Sequence, residues 1–471
     1  MNKSMKLLSA AFSFVFTGTS ILSANDFSLN GLNAADIQAA GADKSIFDFT
    51  KPPKPRPNTV KEWTVMVFMN AKNNLSDSQL LGLVGKFAEK DIKEMKKVGS
   101  TDKVNVLVEH GIKGKGARRL YIQKDGLLNS GEKVYGEYPD ADMGDYRRVI
   151  EFVNWSKAAF PAKHYMLVIW NHGLGWIDPN QNLSNSGTGS SEKGILFDDE
   201  TKNYVRTRQL GEILKAAGYV DVFAMNACLM QMAEVGYEVK DHTGLILASE
   251  ETMLAQGFDY EKLLGFMNAN PAFTNEQLSD FMTGWYRQFM AGGMNIGPVT
   301  VPFGNIGATL STVRPQALNG LPAYLDAFSG AVIANNETAA VKKAIDSAVR
   351  FSSLSPEQDK KKLIAPYVDL YDFAAITGAN AASQTAKQAA TALMNYIKTQ
   401  LVLRSVGLNS DSENGYDYGK VGGIAINMTM KAKTIPAGVA DIHETRYADL
   451  ALSRASQWDE FVTWSDGVWR D

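Results

Sequence analysis

The chain has 471 residues, 45% of them hydrophobic, enough to bury a full core and to build two domains. Lys and Arg number 48 against 51 Asp and Glu, a net charge of -3, so no basic surface marks a nucleic-acid or anionic-membrane partner. Past the N-terminus, no stretch is long and apolar enough to span a bilayer.

Lys3 and Lys6 precede an apolar run from Leu7 to Phe16, and Ser20-Ile21-Leu22-Ser23-Ala24 offers a small-residue cleavage site. Residues 1–24 therefore read as an export signal, which predicts a secreted or periplasmic protein with no membrane attachment after its removal. Residues 25–62 read as a linker or propeptide, stiffened by Lys51-Pro52-Pro53-Lys54-Pro55-Arg56-Pro57.

Trp63-Thr64-Val65-Met66-Val67-Phe68-Met69-Asn70 is a continuous apolar run of the kind buried on both faces of a sheet. A helical pattern follows, with Leu80, Leu81, Val84, Phe87, Ile92 and Met95 on one side. Val104–His110 is a second buried strand, so the unit implies parallel pairing through a right-handed crossover. Arg118–Lys124 alternates like an edge strand, and Asp145 can cap a helix carrying Val149, Phe152 and Val153. His164–Asn171 is a third buried strand, ending in His172-Gly173. The segment from Asn180 to Lys193 is polar and nearly devoid of apolar residues, an exposed insertion of the kind proteases cut. Gly194–Glu200 with Tyr204-Val205 reads as a small hairpin. Val220–Cys228 is a fourth buried strand, with helical periodicity expected from Leu229 onward, and Gly244–Glu250 is a fifth.

Alternating strands and helices of this kind predict an α/β doubly wound, mostly parallel sheet flanked by helices, over residues 63–268. Residues 269–471 are mainly helical (Asn275–Met290, Ala323–Ala334, Ala386–Val402, around Trp458–Trp464) with one strand at Ile424-Ala425-Ile426. They read as a C-terminal α+β part packed on the first.

Such sheets bind ligands at the carboxyl ends of their strands, where Asn70, His110, His172, Cys228 and Ser249 fall. Cys228 is the single cysteine, so no disulfide explains it. At the start of a helix, it would sit where backbone N–H groups favour a thiolate. A buried small hydrophobe is the bland alternative. A thiol nucleophile needs a base, and the chain offers five histidines. His164 and His242 fall at the wrong edge of the sheet, and His443 lies in a polar stretch. Between His110 and His172 the second is favoured: its strand precedes that of Cys228, and Gly173 can aim an N–H at an oxyanion together with the N–H of Cys228.

Taken together, these blocks resemble those of the cysteine peptidases that include caspases, legumains, gingipains and clostripain, and within that group the clostripain family. The resemblance rests on Trp63–Met69 with Asn73-Asn74-Leu75, Trp170-Asn171-His172-Gly173, and Ala227-Cys228-Leu229-Met230. It continues in Ala248-Ser249-Glu250-Glu251 with Gly257-Phe258-Asp259-Tyr260, and in Tyr367–Tyr371 with Trp458–Phe461. It implies a caspase-like fold and an endopeptidase with a His172–Cys228 dyad acting on protein or peptide substrates. No cofactor is needed for such chemistry. Maturation by cleavage in the 180–193 loop is implied too, with Lys193 its one basic residue. Some members respond to Ca²⁺, to which Asp198 and Asp199 could contribute. A monomer is expected.

The expected substrate pocket comprises Asn226, Gln256, Lys72 and Ser249. Relatives that cleave after Arg or Lys resemble one another in carrying acidic residues where this chain has Asn226 and Gln256, and the usual acid ahead of Asn73 is Lys72. Without a carboxylate to fork onto a guanidinium, strict arginine specificity is expected to be lost, and Lys72 could favour an acidic side chain. Two rival readings are a binding protein on the same fold with a degenerate site and a hydrolase of another acyl bond. Against the latter, no Gly-x-Ser-x-Gly elbow is evident.

Overall fold

A computed structural model describes residues 60–76, 86–127, 129–178, 195–296, 299–304, 306–351, 366–410, 415–428 and 446–470. Residues 1–24, read above as an export signal, most of the 25–62 segment, Leu80, Leu81, Val84, the 180–193 segment with Lys193, and His443 lie outside the described residues.

The apolar runs form the middle of the main sheet. β1 (Lys61–Ala71) is buried from Trp63 onward, and α1 (Phe87–Val98) leads to β2 (Val104–Ile112), parallel to β1. β3 (Gly116–Ile122) and β4 (Glu132–Tyr138) then add antiparallel strands. The edge is therefore β4, whose half-exposed polar pattern suits solvent, and the predicted edge strand β3 is the one inside it. α2 (Tyr146–Ala159), capped by the Asp145 carboxylate on the Arg147 N–H, returns the chain to β5 (Ala162–Trp170), parallel to β1 on its other side. α3 (Thr207–Ala217), β6 (Val222–Asn226), α4 (Ala233–Val239) and β7 (Ile246–Ala248) extend the parallel run.

The chain continues through α5 (Tyr260–Ala269), α6 (Asn275–Gly292), the hairpin β8 (Met294–Ile296) and β9 (Val299–Val301), and β10 (Ala308–Val313). After α7 (Leu321–Ala334) and α8 (Thr338–Ser347) come β11 (Arg350–Phe351), β12 (Tyr367–Asp369), α9 (Leu370–Asn380), α10 (Gln384–Tyr396) and β13 (Val402–Leu408). The predicted helix to Val402 thus stops short, passing through a wide turn at Ile397–Leu401 into a strand. β14 (Ala425–Asn427), α11 (Ala451–Ala455) and α12 (Trp458–Arg470) close the described chain.

The main sheet has nine strands in the order β13-β10-β7-β6-β5-β1-β2-β3-β4. Its five central strands are parallel, and both flanks are antiparallel. β10 and β13 come from beyond residue 269, so the expected domain division is not a break in the sheet. Their pairing leaves Thr309, Ser311 and Thr312 buried, with the three hydroxyls taken up in hydrogen bonds. A separate sheet, β11-β12-β14, leans on α4 through β14.

Candidate functional site

From β1 and β5, which are neighbours, the sheet grows in opposite directions, to β2 on one side and β6 on the other. A crevice opens at the carboxyl ends where the order reverses. Asn73-Asn74 leave β1 there, Asn171-His172-Gly173 leave β5, and Ala227-Cys228 leave β6.

Amides hold the histidine side. Nδ2 of Asn171 donates to the Asn70 carbonyl at 2.6 Å, and its Oδ1 accepts the His172 N–H at 2.6 Å. Nε2 of His172 lies 2.7 Å from Oδ1 of Asn74. An amide oxygen only accepts, so this contact puts the proton on Nε2 and leaves Nδ1 as an acceptor. At Gly173, a Cβ would fall 2.4 Å from the Cys228 carbonyl oxygen and 2.9 Å from the sulfur of Met230. Glycine alone lets the His172 turn press against the backbone of Cys228. Among the described residues no hydrogen-bond acceptor takes the Gly173 N–H.

Cys228 is buried, and its Sγ accepts the Met253 N–H at 3.3 Å. Burial pushes the thiol up to about 12, so it is neutral at rest. The helix expected from Leu229 starts four residues late. Leu229 takes a left-handed φ of 63°, Met232 bridges to Ala425 in parallel, and α4 begins only at Ala233. Extended pairing draws Leu229–Met232 away from helical geometry, so Cys228 does not stand at the first turn of this helix.

His172 and Cys228 line one pocket of about 40 Å³, shared with Leu75, Trp170, Asn226 and Leu254. A single water needs roughly 10–15 Å³ by the same measure, so the pocket as it stands admits a few waters and no long side chain. Among the described residues, no acidic side chain lines it. Nδ2 of Asn226 donates to the Tyr260 hydroxyl at 3.3 Å, and Gly257, at φ 57°, lies so close that a Cβ would meet the Asn226 amide at 2.6 Å.

Three expected pocket residues are placed elsewhere. Lys72 is buried, its Nζ 2.6 Å from the Ala141 carbonyl, 3.2 Å from Oδ2 of Asp198 and 2.8 Å from Oε2 of Glu200. A lysine ammonium in an oxygen cage stays there, because leaving would strand both carboxylates. Ser249 is buried, bonded to the carbonyls of Thr309 at 2.7 Å and Glu251 at 2.8 Å. Gln256 sits between Ala255 and Gly257, which line the pocket, without lining it itself.

Asp198 also accepts the N–H groups of Met143, Glu200 and Thr201 at 3.0, 2.9 and 3.1 Å. Asp199 lies 3.9 Å from Nζ of Lys113. Among the described residues, no group of three or more His, Cys, Asp or Glu could hold a metal ion.

The other described histidines stand apart. His110 lies within β2, where burial lowers its pKa to about 4. His164 pairs with Asp221 at 2.9 Å at the opposite sheet edge, and His242 ends a short turn before β7. Two contributors escaped the sequence reading, Asn74 and the Met253 backbone. For Asn74 the signal was there, in an Asn-Asn pair following an apolar strand; for Met253 there was none.

Clostripain of Hathewaya histolytica is 25% identical over 425 residues, 78% of this chain and 75% of that protein. A secreted C11 cysteine protease from Bacteroides thetaiotaomicron, solved with an irreversible peptide inhibitor, superposes with a TM-score of 0.58 at 20% identity, over 84% of this chain and 99% of that one. An inactive zymogen C11 protease from Parabacteroides distasonis gives 0.56 at 17% identity, over 84% and 99%. These likenesses establish the caspase-like fold. The model of the clostripain family matches residues 67–464. The chain belongs to the clostripain family and is a cysteine endopeptidase acting on peptide substrates.

Proposed function

We propose that Cys228 is the nucleophile and His172 the general acid and base. The convergence at Gly173 carries this reading, since it brings the two loops into contact at the crevice. Sγ attacks the scissile carbonyl carbon while its proton passes to Nδ1 of His172, and the N–H groups of Gly173 and Cys228 take the oxyanion. The intermediate collapses, the C–N bond breaks, and His172 gives its proton to the departing amine. A water, deprotonated by His172, then cleaves the thioester. A thiol held neutral by burial fits proton transfer concerted with attack, once substrate has displaced the Met253 backbone.

Asn226 offers an amide and no charge to the side chain on the amino side of the scissile bond, P1, and we read the pocket as selecting neutral P1 residues. Lys72, held in its cage, does not serve an acidic P1. The same cage occupies Asp198, so Ca²⁺ is not assigned there. Maturation by cleavage within 180–193, export directed by residues 1–24, and a monomeric state complete the proposal. Among the described residues, no helix is long and apolar enough to cross a membrane.

The test compares the full chain with Cys228→Ala for hydrolysis of a P1-varied peptide library and for self-cleavage. Loss of both in the variant, with neutral P1 preferred by the parent, is expected. Equal activity of the two proteins defeats the dyad, and dominant cleavage after Arg defeats the pocket assignment.

A further inference from the structure

Two motifs that the site does not use directly meet beneath it. Glu250 follows β7 and Asp369 ends β12, and the two side chains are 1% and 0% exposed. Among the described residues no N–H or O–H group reaches either oxygen of Glu250. What stands within hydrogen-bonding reach is the carboxyl of Asp369. That carboxyl is well supplied. Its Oδ1 accepts the Asp372 N–H at 2.6 Å, capping α9, and its Oδ2 accepts those of Gly422 at 2.8 Å and Gly423 at 3.3 Å. Two carboxyl groups in contact away from water do not both ionise. Burial raises the Asp369 carboxyl to about 6, but its three N–H donors favour the charge there over Glu250, so above that pH the shared proton resides on Glu250.

The neighbours of Glu250 grip the chain just past Cys228. The Glu251 carbonyl accepts the Leu229 N–H at 3.3 Å, and that of Ser249 accepts the Gln231 N–H at 2.9 Å. Between them these bonds hold Leu229 in its left-handed conformation, unfavourable for a branched side chain unless enforced. Oγ1 of Thr309 takes the N–H groups of Glu250 and Glu251 at 2.9 and 3.0 Å. A bond from Glu250 to Asp369 ties this brace to β12 and α9.

We propose that Glu250, as a neutral carboxylic acid donating to Asp369, is a positioning residue for the Cys228 turn. The proposal rests on the reading of Cys228 as nucleophile. Burial first, then the Asp369 charge, holds the Glu250 carboxyl well above the usual carboxylate range. Glu251, whose Oε2 accepts the Tyr418 hydroxyl at 2.7 Å, adds to this. On the far side Asp369 faces Asp372, with Lys420 and Asp417 beyond it. In the unfolded chain Glu250 ionises in the ordinary range, so over neutral and alkaline pH the native state holds an extra proton. Its contribution to stability is full in acid and is lost as pH rises through the raised native pKa.

The experiment measures kcat, KM and thermal midpoint from about pH 5 to about pH 9.5, spanning ordinary and raised carboxyl ionisation, for the full chain, Glu250→Gln, Glu250→Ala and Cys228→Ala. A glutamine N–H donates to Asp369 at every pH. Glu250→Gln should therefore keep kcat near the parent value in mild acid and flatten the alkaline fall in thermal midpoint. Glu250→Ala, which removes the donor, should lower kcat by about a hundredfold with little change in KM, as misplacement of a reacting group does. If Glu250→Gln is as impaired as Glu250→Ala in mild acid, or if its midpoint falls with pH in parallel with the parent, the proposal is overturned. Cys228→Ala separates the two layers: hydrolysis at the parent rate defeats the nucleophile assignment, while the midpoints still decide where the Glu250 proton is.

Discussion

On the histidine side of the crevice, the side chains that hold the loops are amides: Asn70, Asn73, Asn74 and Asn171. On the cysteine side hydroxyls of Ser249 and Thr309 are joined by acids, with Glu250 against Asp369 and Glu251 bonded to Tyr418. Amides do not titrate and bond identically across the physiological range, whereas a buried carboxyl acts as donor or acceptor according to its proton. The histidine is thus held by groups indifferent to pH. On the proposal above, the Cys228 turn depends on a proton that can be removed. Acidic side chains do occur near the histidine loops, at Asp198 and Glu200, but there the Lys72 ammonium compensates them.

The largest test of this contrast is His172→Ala. Removing the base should lower kcat/KM by about a thousandfold at every pH where the parent works, as loss of general acid–base catalysis does. Steady-state peptide hydrolysis measures it, and a loss below about tenfold would mean another group takes the proton.

Lys72→Met comes next, and it probes stability. Leaving Asp198 and Glu200 without their ammonium should cost about 3 kcal/mol by chemical denaturation at neutral pH. Part of the deficit should be recovered in acid, where protons neutralise the stranded carboxylates. No deficit would mean that the cage is ornamental. Asn226→Asp should raise cleavage after Arg or Lys relative to neutral P1 by about tenfold or more, since a carboxylate in the pocket can fork onto a guanidinium. An unchanged profile from a P1-varied library would move specificity to another wall.

The smallest effect is predicted for Asn74→Ala. Losing one hydrogen bond to the imidazole should lower kcat about five- to tenfold, near 1 kcal/mol, while KM holds. A rise in KM alone would place Asn74 in substrate binding instead.

The five central strands were legible because each is mainly apolar and bounded by polar turns, and their order along the chain placed His172 and Cys228 at adjacent strand ends. β10 and β13 were not. Ala308–Val313 is half polar because its hydroxyls bond inward, and Val402–Leu408 follows a helix without a break in composition. The late start of the helix after Cys228 has a similar cause: Leu229–Val235 has the right period, but β14, remote in sequence, captures Met232 in a bridge. Lys72 was misplaced for the same reason. Its charge was evident, but Asp198 and Glu200, which decide where it points, lie far along the chain.

The most direct measurement is covalent trapping. The full chain would be incubated with a peptidyl electrophile bearing a neutral P1 residue, digested, and mapped by mass spectrometry. The account predicts one adduct, on the peptide containing Cys228, formed at a rate that falls sharply in His172→Ala. Sustained hydrolysis with an unmodified Cys228, or trapping at an undiminished rate without the histidine, would contradict it.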